Sequence, residues 1–166
     1  MEVFAKPAAG GIIIKCEKGI NYILLQERYK EIGGTDNGLI EIPAGKIREF
    51  ENIFNCLRRE IREETGLEVT EIIGEDETVT IKSNGYKVIN YMPFACSQNT
   101  EGNYPIMVQT FICKVKGNVL DKTNETKNIR WVSISELKEM LHTNENGFYP
   151  MHVATLKKYI SERCKH

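Results

Sequence analysis

The sequence predicts a mixed α/β fold, a mixed β-sheet with helices covering its faces. Strand-like runs dominate the 166-residue chain. One long helical stretch is inserted midway, and two more helical patterns close the C-terminal end. Elements in that order bury their apolar sides as a sheet between helices.

Ala8–Cys16 is an apolar run suited to a buried strand, and Lys18–Gly19 punctuates it. Asn21–Glu27 alternates and forms a second strand. The charged, Gly-rich segment Arg28–Gly38 reads as a loop or an irregular strand end. Leu39–Pro43 (LIEIP) is a short strand delivering the chain to Ala44–Gly45, where glycine permits a tight turn and close backbone approach to a ligand. Residues 51–65 contain no Gly or Pro and carry Ile53, Leu57 and Ile61 at helical spacing, and Gly66 stops that helix. Glu68–Glu75 and Thr78–Ser83 read as strands. Asn84–Gly85 is a two-residue hairpin signal, with Tyr86–Cys96 as the returning strand. Ser97–Tyr104 is a polar loop, and Pro105–Lys116 is the clearest late strand. Gly117–Asn128 is a polar connection, followed by a short strand at Ile129–Val132. Ser133 and Glu136 form a capping-box pattern opening a helix over Ile134–Leu141, and a final amphipathic helix runs from about Met151 to Arg163.

With no linker or repeat, residues 1–166 read as a single domain. Hydrophobic residues make up 41% and charged residues 27%, with net charge −1, so there is no electrostatic case for bulk nucleic-acid or membrane binding. The N-terminus lacks a long apolar segment and no run reaches membrane-span length, so a soluble, cytoplasmic protein is expected. Cys16, Cys56, Cys96, Cys113 and Cys164 are odd in number and widely spaced, which reads as reduced thiols. Cys164 and His166 are close enough in sequence to share a zinc, but no four-ligand spacing appears and a frayed terminus is the simpler reading.

The chemistry concentrates in the central helix. Glu60, Glu63 and Glu64 fall within five residues on one side of it, near its C-terminal, negative end. Taking about 100° per residue, they border the apolar stripe instead of opposing it. A Glu-rich helix face is often only solvated surface. Carboxylates at a core margin, however, need partners, and a hard divalent cation takes oxygen ligands of this kind. Arg59 is placed to pair with Glu63 or Glu51.

Gly45, Glu51, Arg59, Glu60, Ile61, Glu63, Glu64, Gly66 and Leu67 fit the pattern G-x5-E-x7-R-E-U-x-E-E-x-G-U, U being aliphatic. The stretch Gly45–Leu67 resembles the signature of the Nudix hydrolases. Local departures are Phe50, where a second Gly is common, and Cys56–Leu57, where small residues are common. The resemblance implies an α/β/α sandwich and a Mg2+-dependent pyrophosphohydrolase, with Mn2+ as an alternative ion. Its substrate would be a nucleoside diphosphate linked to another moiety. It further implies metal ligation by Glu60, Glu63, Glu64 and the backbone carbonyl of Ala44, with Arg59 in the catalytic set.

Family members often add a distal carboxylate. Glu125, six residues before Trp131, is the first candidate and Glu101 the second, while Glu63 competes with both as general base. The run LLQERYK…LIEIPAGKI is similar to ADP-ribose and sugar-nucleotide pyrophosphatases, but the Pro that typically follows their motif is missing from residues 79–84. Arg28 and Lys46 are candidate substrate contacts, as is Arg58, with Arg28 first. Trp131 is read as packing beside the final helix, with stacking on a base as the alternative. A homodimer fits the family habit. Two rival readings are a non-catalytic Nudix-fold module that binds a nucleotide and regulates a partner, and action on an RNA 5′ end. Near-neutral charge argues against a large RNA footprint.

Overall fold

The computed structural model describes residues 1–29 and 34–164. Part of the Arg28–Gly38 segment, and His166, therefore lie outside the described residues.

The apolar run at Ala8 extends into β1 (Lys6–Glu17), which turns at Lys18–Gly19 into β2 (Ile20–Arg28). Two short strands follow, β3 (Ile40–Glu41) and β4 (Ala44–Lys46). The central helix α1 (Ile53–Thr65) begins where Asn52 Oδ1 accepts from the Phe54 amide at 2.9 Å, and ends at Gly66 with φ 79°. Beyond it lie β5 (Glu68–Ile72), β6 (Val79–Ser83), β7 (Tyr86–Asn90), β8 (Ala95–Gln98), β9 (Ile106–Lys116) and β10 (Thr126–Ser133). Helices α2 (Ile134–Thr143) and α3 (Pro150–Arg163) complete the chain, with Ser133 Oγ accepting from the Glu136 amide at 3.2 Å.

The main sheet has the order β10-β2-β1-β9-β5, with β3 beside β2, β4 beside β1 and β8 beside β9. β1 and β9 run parallel, and the other pairs are antiparallel, so the sheet is mixed as expected. Alternation along the strands sends side chains to two cores. Ala9, Ile13 and Leu24 pack with Phe54, Leu57, Ile61 and Phe111 on the α1 side. Ile12, Ile23 and Leu25 pack with Leu137, Phe148 and Leu156 on the side of α2 and α3. Among the described residues, no helix is long and apolar enough to cross a membrane.

The strand expected over Leu39–Pro43 is cut to Ile40–Glu41, and three other elements differ from their expected extents. The stretch Tyr86–Cys96 breaks in two: Tyr91 tucks its ring against Phe54 and Phe111 (centroids 5.7 and 5.9 Å apart), and Pro93, which has no N–H for a ladder, follows it. The chain then leaves β6 and joins the main sheet as β8. Strand β5 stops at Ile72, and Gly74, at φ 90°, opens one 3-10 turn over Glu75–Glu77. β10 begins at Thr126, before Ile129, because Asn128 (φ 51°) lets a register shift sit between Lys127 and Arg130. Trp131 lies against the α1-side core, with Lys15 Nζ 4.4 Å from its ring centroid, and not beside the final helix.

Candidate active site

The last turns of α1 present three carboxylates at three depths. Glu64 is buried, at 6% exposure, and Glu60 is nearly so, while the Glu63 side chain is 55% exposed. Glu64 Oε2 accepts from Gln26 Nε2 at 2.9 Å and from the Ala44 amide at 3.2 Å. Gln26 also donates to Glu41 Oε1 at 3.3 Å, and Arg28 Nη1 donates to Glu41 Oε2 at 2.9 Å. Burial pushes the pKa of Glu64 well above the ordinary carboxylate value, and the charge of Glu41 adds to the push. Glu41 is raised by its own burial against the pull of Arg28, and Glu60 by burial against the pull of Arg59.

Gly45 does not form a turn. It lies within β4, paired with Ala9 of β1, and a Cβ there would fall 1.9 Å from Glu60 Cδ. Close approach was the right reason for a glycine, but the approaching group is the Glu60 carboxylate.

Arg59 gathers the motif's acids. Its Nε and Nη2 donate to the two oxygens of Glu51 at 2.8 and 2.9 Å; Nη1 donates to Glu60 and lies 3.4 Å from Glu63 Oε2. Both expected partners are present, and Glu60 is a third. The Arg59 hydrogen bond is the largest influence pulling Glu51 down to about 2.

These groups open onto a cleft of about 620 Å3. Glu41, Glu60, Glu63, Glu64 and Glu125 line it with Arg28, Lys46, Arg48 and Arg59. Glu125 stands near enough for its charge to be felt at Glu60 and Glu41. Neither Glu101 nor Arg58 lines the cleft; Arg58 instead makes two hydrogen bonds to Glu75, at 2.7 and 2.5 Å. A second wall is apolar and aromatic, formed by Ala8, Tyr104, Ile106, Val108, Tyr149 and His152. The Arg28 guanidinium lies 4.3 Å from the Tyr149 ring centroid, and Tyr149 meets His152 edge-on at 5.4 Å. His152 is 1% exposed, its Nδ1 has no partner among the described residues, and burial lowers its pKa to about 3.

Sequence reasoning missed Gln26, Glu41, Tyr149 and His152. Two carried a signal. Gln26 continues the buried run Ile23–Leu25, and Glu41 sits between Ile40 and Ile42, so each is a polar residue in an apolar strand. Nothing comparable marks Tyr149 or His152.

The donor chemistry fits a hard divalent cation. The acid wall offers oxygen donors only, its deepest carboxylates sit in surroundings that penalise their charge, and Gly45 keeps open the space the Glu60 carboxylate fills. Among the described residues no three acidic, imidazole or thiol groups converge as they stand, because Glu60 is drawn to Arg59 and Glu64 to Gln26.

A family model described as the NUDIX domain matches residues 5–151. A MutT protein from Methanosarcina mazei Go1 is similar in structure, with TM-score 0.62, 20% identity and 99% of each chain covered. So is the NUDIX domain of Shewanella oneidensis NrtR in complex with ADP ribose, with TM-score 0.67, 12% identity, and 99% of this chain and 91% of that one covered. In sequence, the chain is 23% identical over 119 residues to the mRNA-decapping enzyme subunit 2 of Saccharomyces cerevisiae (strain YJM789), covering 71% of this chain. The chain spans about 10% of the length of that relative. The motif on α1, the mixed sheet that carries it and the family match over residues 5–151 agree: the chain belongs to the Nudix domain family.

Proposed function

We propose that this protein is a divalent-cation-dependent pyrophosphohydrolase acting on a nucleoside diphosphate linked to a second moiety, with ADP-ribose or a sugar nucleotide as the leading candidates. The observation that carries this reading is the cleft itself, whose two unlike walls suit the two unlike parts of such a substrate.

Glu60, Glu63, Glu64 and the Ala44 carbonyl would hold the cation, Mg2+ first and Mn2+ as the alternative. When bound, such an ion neutralises charge on the diphosphate and makes water more acidic. The residues of the chain do the rest. Arg59, anchored by Glu51, aims Glu60 and Glu63. Lys46 has no acidic partner among the described residues and so has its charge available for phosphate, whereas Arg28 is already engaged by Glu41 and meets the substrate beside Tyr149. Glu125, or Glu63 in its place, takes a proton from the water whose oxygen attacks phosphorus, and the bond to the bridging oxygen breaks. Tyr104 and Tyr149 offer ring faces to the heterocycle. A small-molecule partner in a soluble, cytoplasmic setting completes the reading.

A second reading, a nucleotide-binding module without turnover, draws on the Arg59–Glu60 pair, which occupies a carboxylate that a cation would need. One screen separates the two. The protein is incubated with Mg2+ and ADP-ribose, sugar nucleotides, dinucleotides, nucleoside triphosphates or capped RNA, and released monophosphate or phosphate is measured. Turnover of a diphosphate-linked nucleoside supports hydrolysis; binding without release of product supports the module.

A further inference from the structure

The connection between β9 and β10 folds back over the end of α1. The Leu120 amide donates to the Thr65 carbonyl at 2.9 Å, and the Leu120 side chain occupies the space a Cβ on Gly66 would need, 2.6 Å from Leu120 Cγ. Thr126 makes the deeper tie. It is fully buried, and its Oγ1 donates to the Glu64 carbonyl at 2.9 Å.

The donors in this cluster can be assigned. Thr126 has one hydroxyl proton, and Glu64 takes it. Thr123 Oγ1, 2.8 Å away, must therefore give its own proton to Thr126. The lone pairs of Thr123 Oγ1 are left to accept from the amides of Glu125 and Thr126, at 3.2 and 3.1 Å. The Thr123 amide donates to the Thr126 carbonyl at 2.8 Å and closes the turn, and the Glu125 carbonyl accepts from the Tyr29 amide at 2.8 Å. Both ends of the Glu125 residue are thus held, by a chain of bonds that runs to the backbone of Glu64. Packing alone does not call for this arrangement. A valine of the same shape would fill the Thr126 site, in a strand where β-branched apolar residues do well, and it would spare the desolvation of a hydroxyl.

We infer that Thr126 is a positioning residue: its hydroxyl couples the turn carrying Glu125 to the carbonyl of Glu64 and so sets the distal carboxylate against the acids of α1. The inference rests on the functional reading above, in which Glu125 and the α1 acids work together.

The test compares Thr126→Val, Thr126→Ser, Glu125→Gln and the Thr126→Val/Glu125→Gln double variant, using a substrate the screen has turned over. Thr126→Val lowers kcat by about 10- to 100-fold, the range typical of lost outer partners at metal sites, with KM within about two-fold. It also speeds amide exchange at Tyr29 and Glu125. Thr126→Ser, which keeps the hydroxyl, restores kcat to within about three-fold. In the Glu125→Gln background Thr126→Val costs nothing further, because the two act as one unit. Wild-type turnover in Thr126→Val, losses that multiply in the double variant, or no rescue by serine overturns the inference. Should Thr126→Val fail to fold, Thr123→Ala breaks the same chain at a half-buried site and is held to the same pattern. Glu125→Gln with unchanged kcat removes Glu125 from the reaction, and the inference goes with it. Thr126→Val without effect beside a crippled Glu125→Gln refutes the inference and leaves the functional reading standing.

Discussion

The two walls of the cleft are built in opposite ways. The acid wall comes mostly from the end of one helix, where Glu60, Glu63 and Glu64 lie within five residues and Glu125 joins them from a turn. The aromatic wall is collected from distant segments: Ala8 of β1, Tyr104 before β9, Ile106 and Val108 on β9, and Tyr149 and His152 at the start of α3. On the acid wall, burial raises the cost of the charges on Glu41, Glu60 and Glu64; on the aromatic wall, it is ordinary packing. Stability and proposed function therefore pull against each other on the first wall and together on the second.

The comparison can be broken most sharply at Glu64. Glu64→Gln is expected to lower turnover by roughly 10³-fold, equivalent to the several kcal/mol a catalytic ion supplies, and yet to melt no lower than wild type. The sign follows from the raised folded pKa. The contribution of Glu64 to stability is full below the ordinary value of 4.5 and is lost as pH rises through the elevated folded value, a loss the amide cannot suffer. Melting curves of both proteins across that range check it, and a large drop in the variant's melting temperature at pH 7 would contradict the asymmetry.

Gly45→Ala acts on the same wall through space alone. Its Cβ displaces the Glu60 carboxylate, so kcat should fall by about 10- to 100-fold while the β1–β4 ladder persists. Steady-state rates at saturating Mg2+ measure this, and an unchanged rate would mean Glu60 need not stay where it is. On the aromatic wall, Tyr149→Ala should raise KM by about 5- to 30-fold, the equivalent of roughly 1–2 kcal/mol of ring contact, with kcat within about two-fold. A loss confined to kcat would place Tyr149 with the chemistry instead.

The smallest effect at neutral pH belongs to His152. Its pKa is about 3 in the folded chain against 6.5 ordinarily. Its contribution to stability is present above about 6.5 and is lost as pH falls toward 3, at up to roughly 1.4 kcal/mol per pH unit. His152→Gln should flatten that part of the stability profile and barely alter stability at pH 7. Urea midpoints at several pH values between 7 and 4 report it; parallel profiles would mean that the imidazole is not held neutral.

How much of each wall was legible follows from the same contrast. The acid wall was readable because its carboxylates sit at fixed spacing on one helix, bounded by Gly45 and Gly66, and spacing on a helix is already geometry. The three depths were not readable, since the strands carrying Gln26 and Glu41, β2 and β3, decide which acid turns inward. The aromatic wall depends on which strands become neighbours, and Tyr149 and His152 look like any residues opening an amphipathic helix. Within the fold, Asn84–Gly85 announced its hairpin, but nothing local said that the returning chain would desert β6 for β9. Pro93 was the nearest clue, and only the docking of Tyr91 on Phe54 explains the break. The bulge at Asn128 hid the start of β10 for a similar reason, since its polar residues pair only once β2 is alongside.

The parallel pairing of β1 with β9 has a consequence for how the chain assembles. Lys6 and Ile106 are partners a hundred residues apart. Closing so long a loop costs roughly 4 kcal/mol of chain entropy, and central pairs of this kind form slowly. Chains emerge from the ribosome N-terminus first, so α1 leaves with its full set of acids well before β9 exists. Until then the helix lacks the cover of the later strands. That cover is completed only when Phe111 on β9 arrives against Phe54 and the last strand brings Thr126 under the helix end. The topology thus leaves the site incomplete until the largest apolar contacts form beside it, and a nascent chain stalled before β9 would carry the acids of α1 without Glu125 or Thr126.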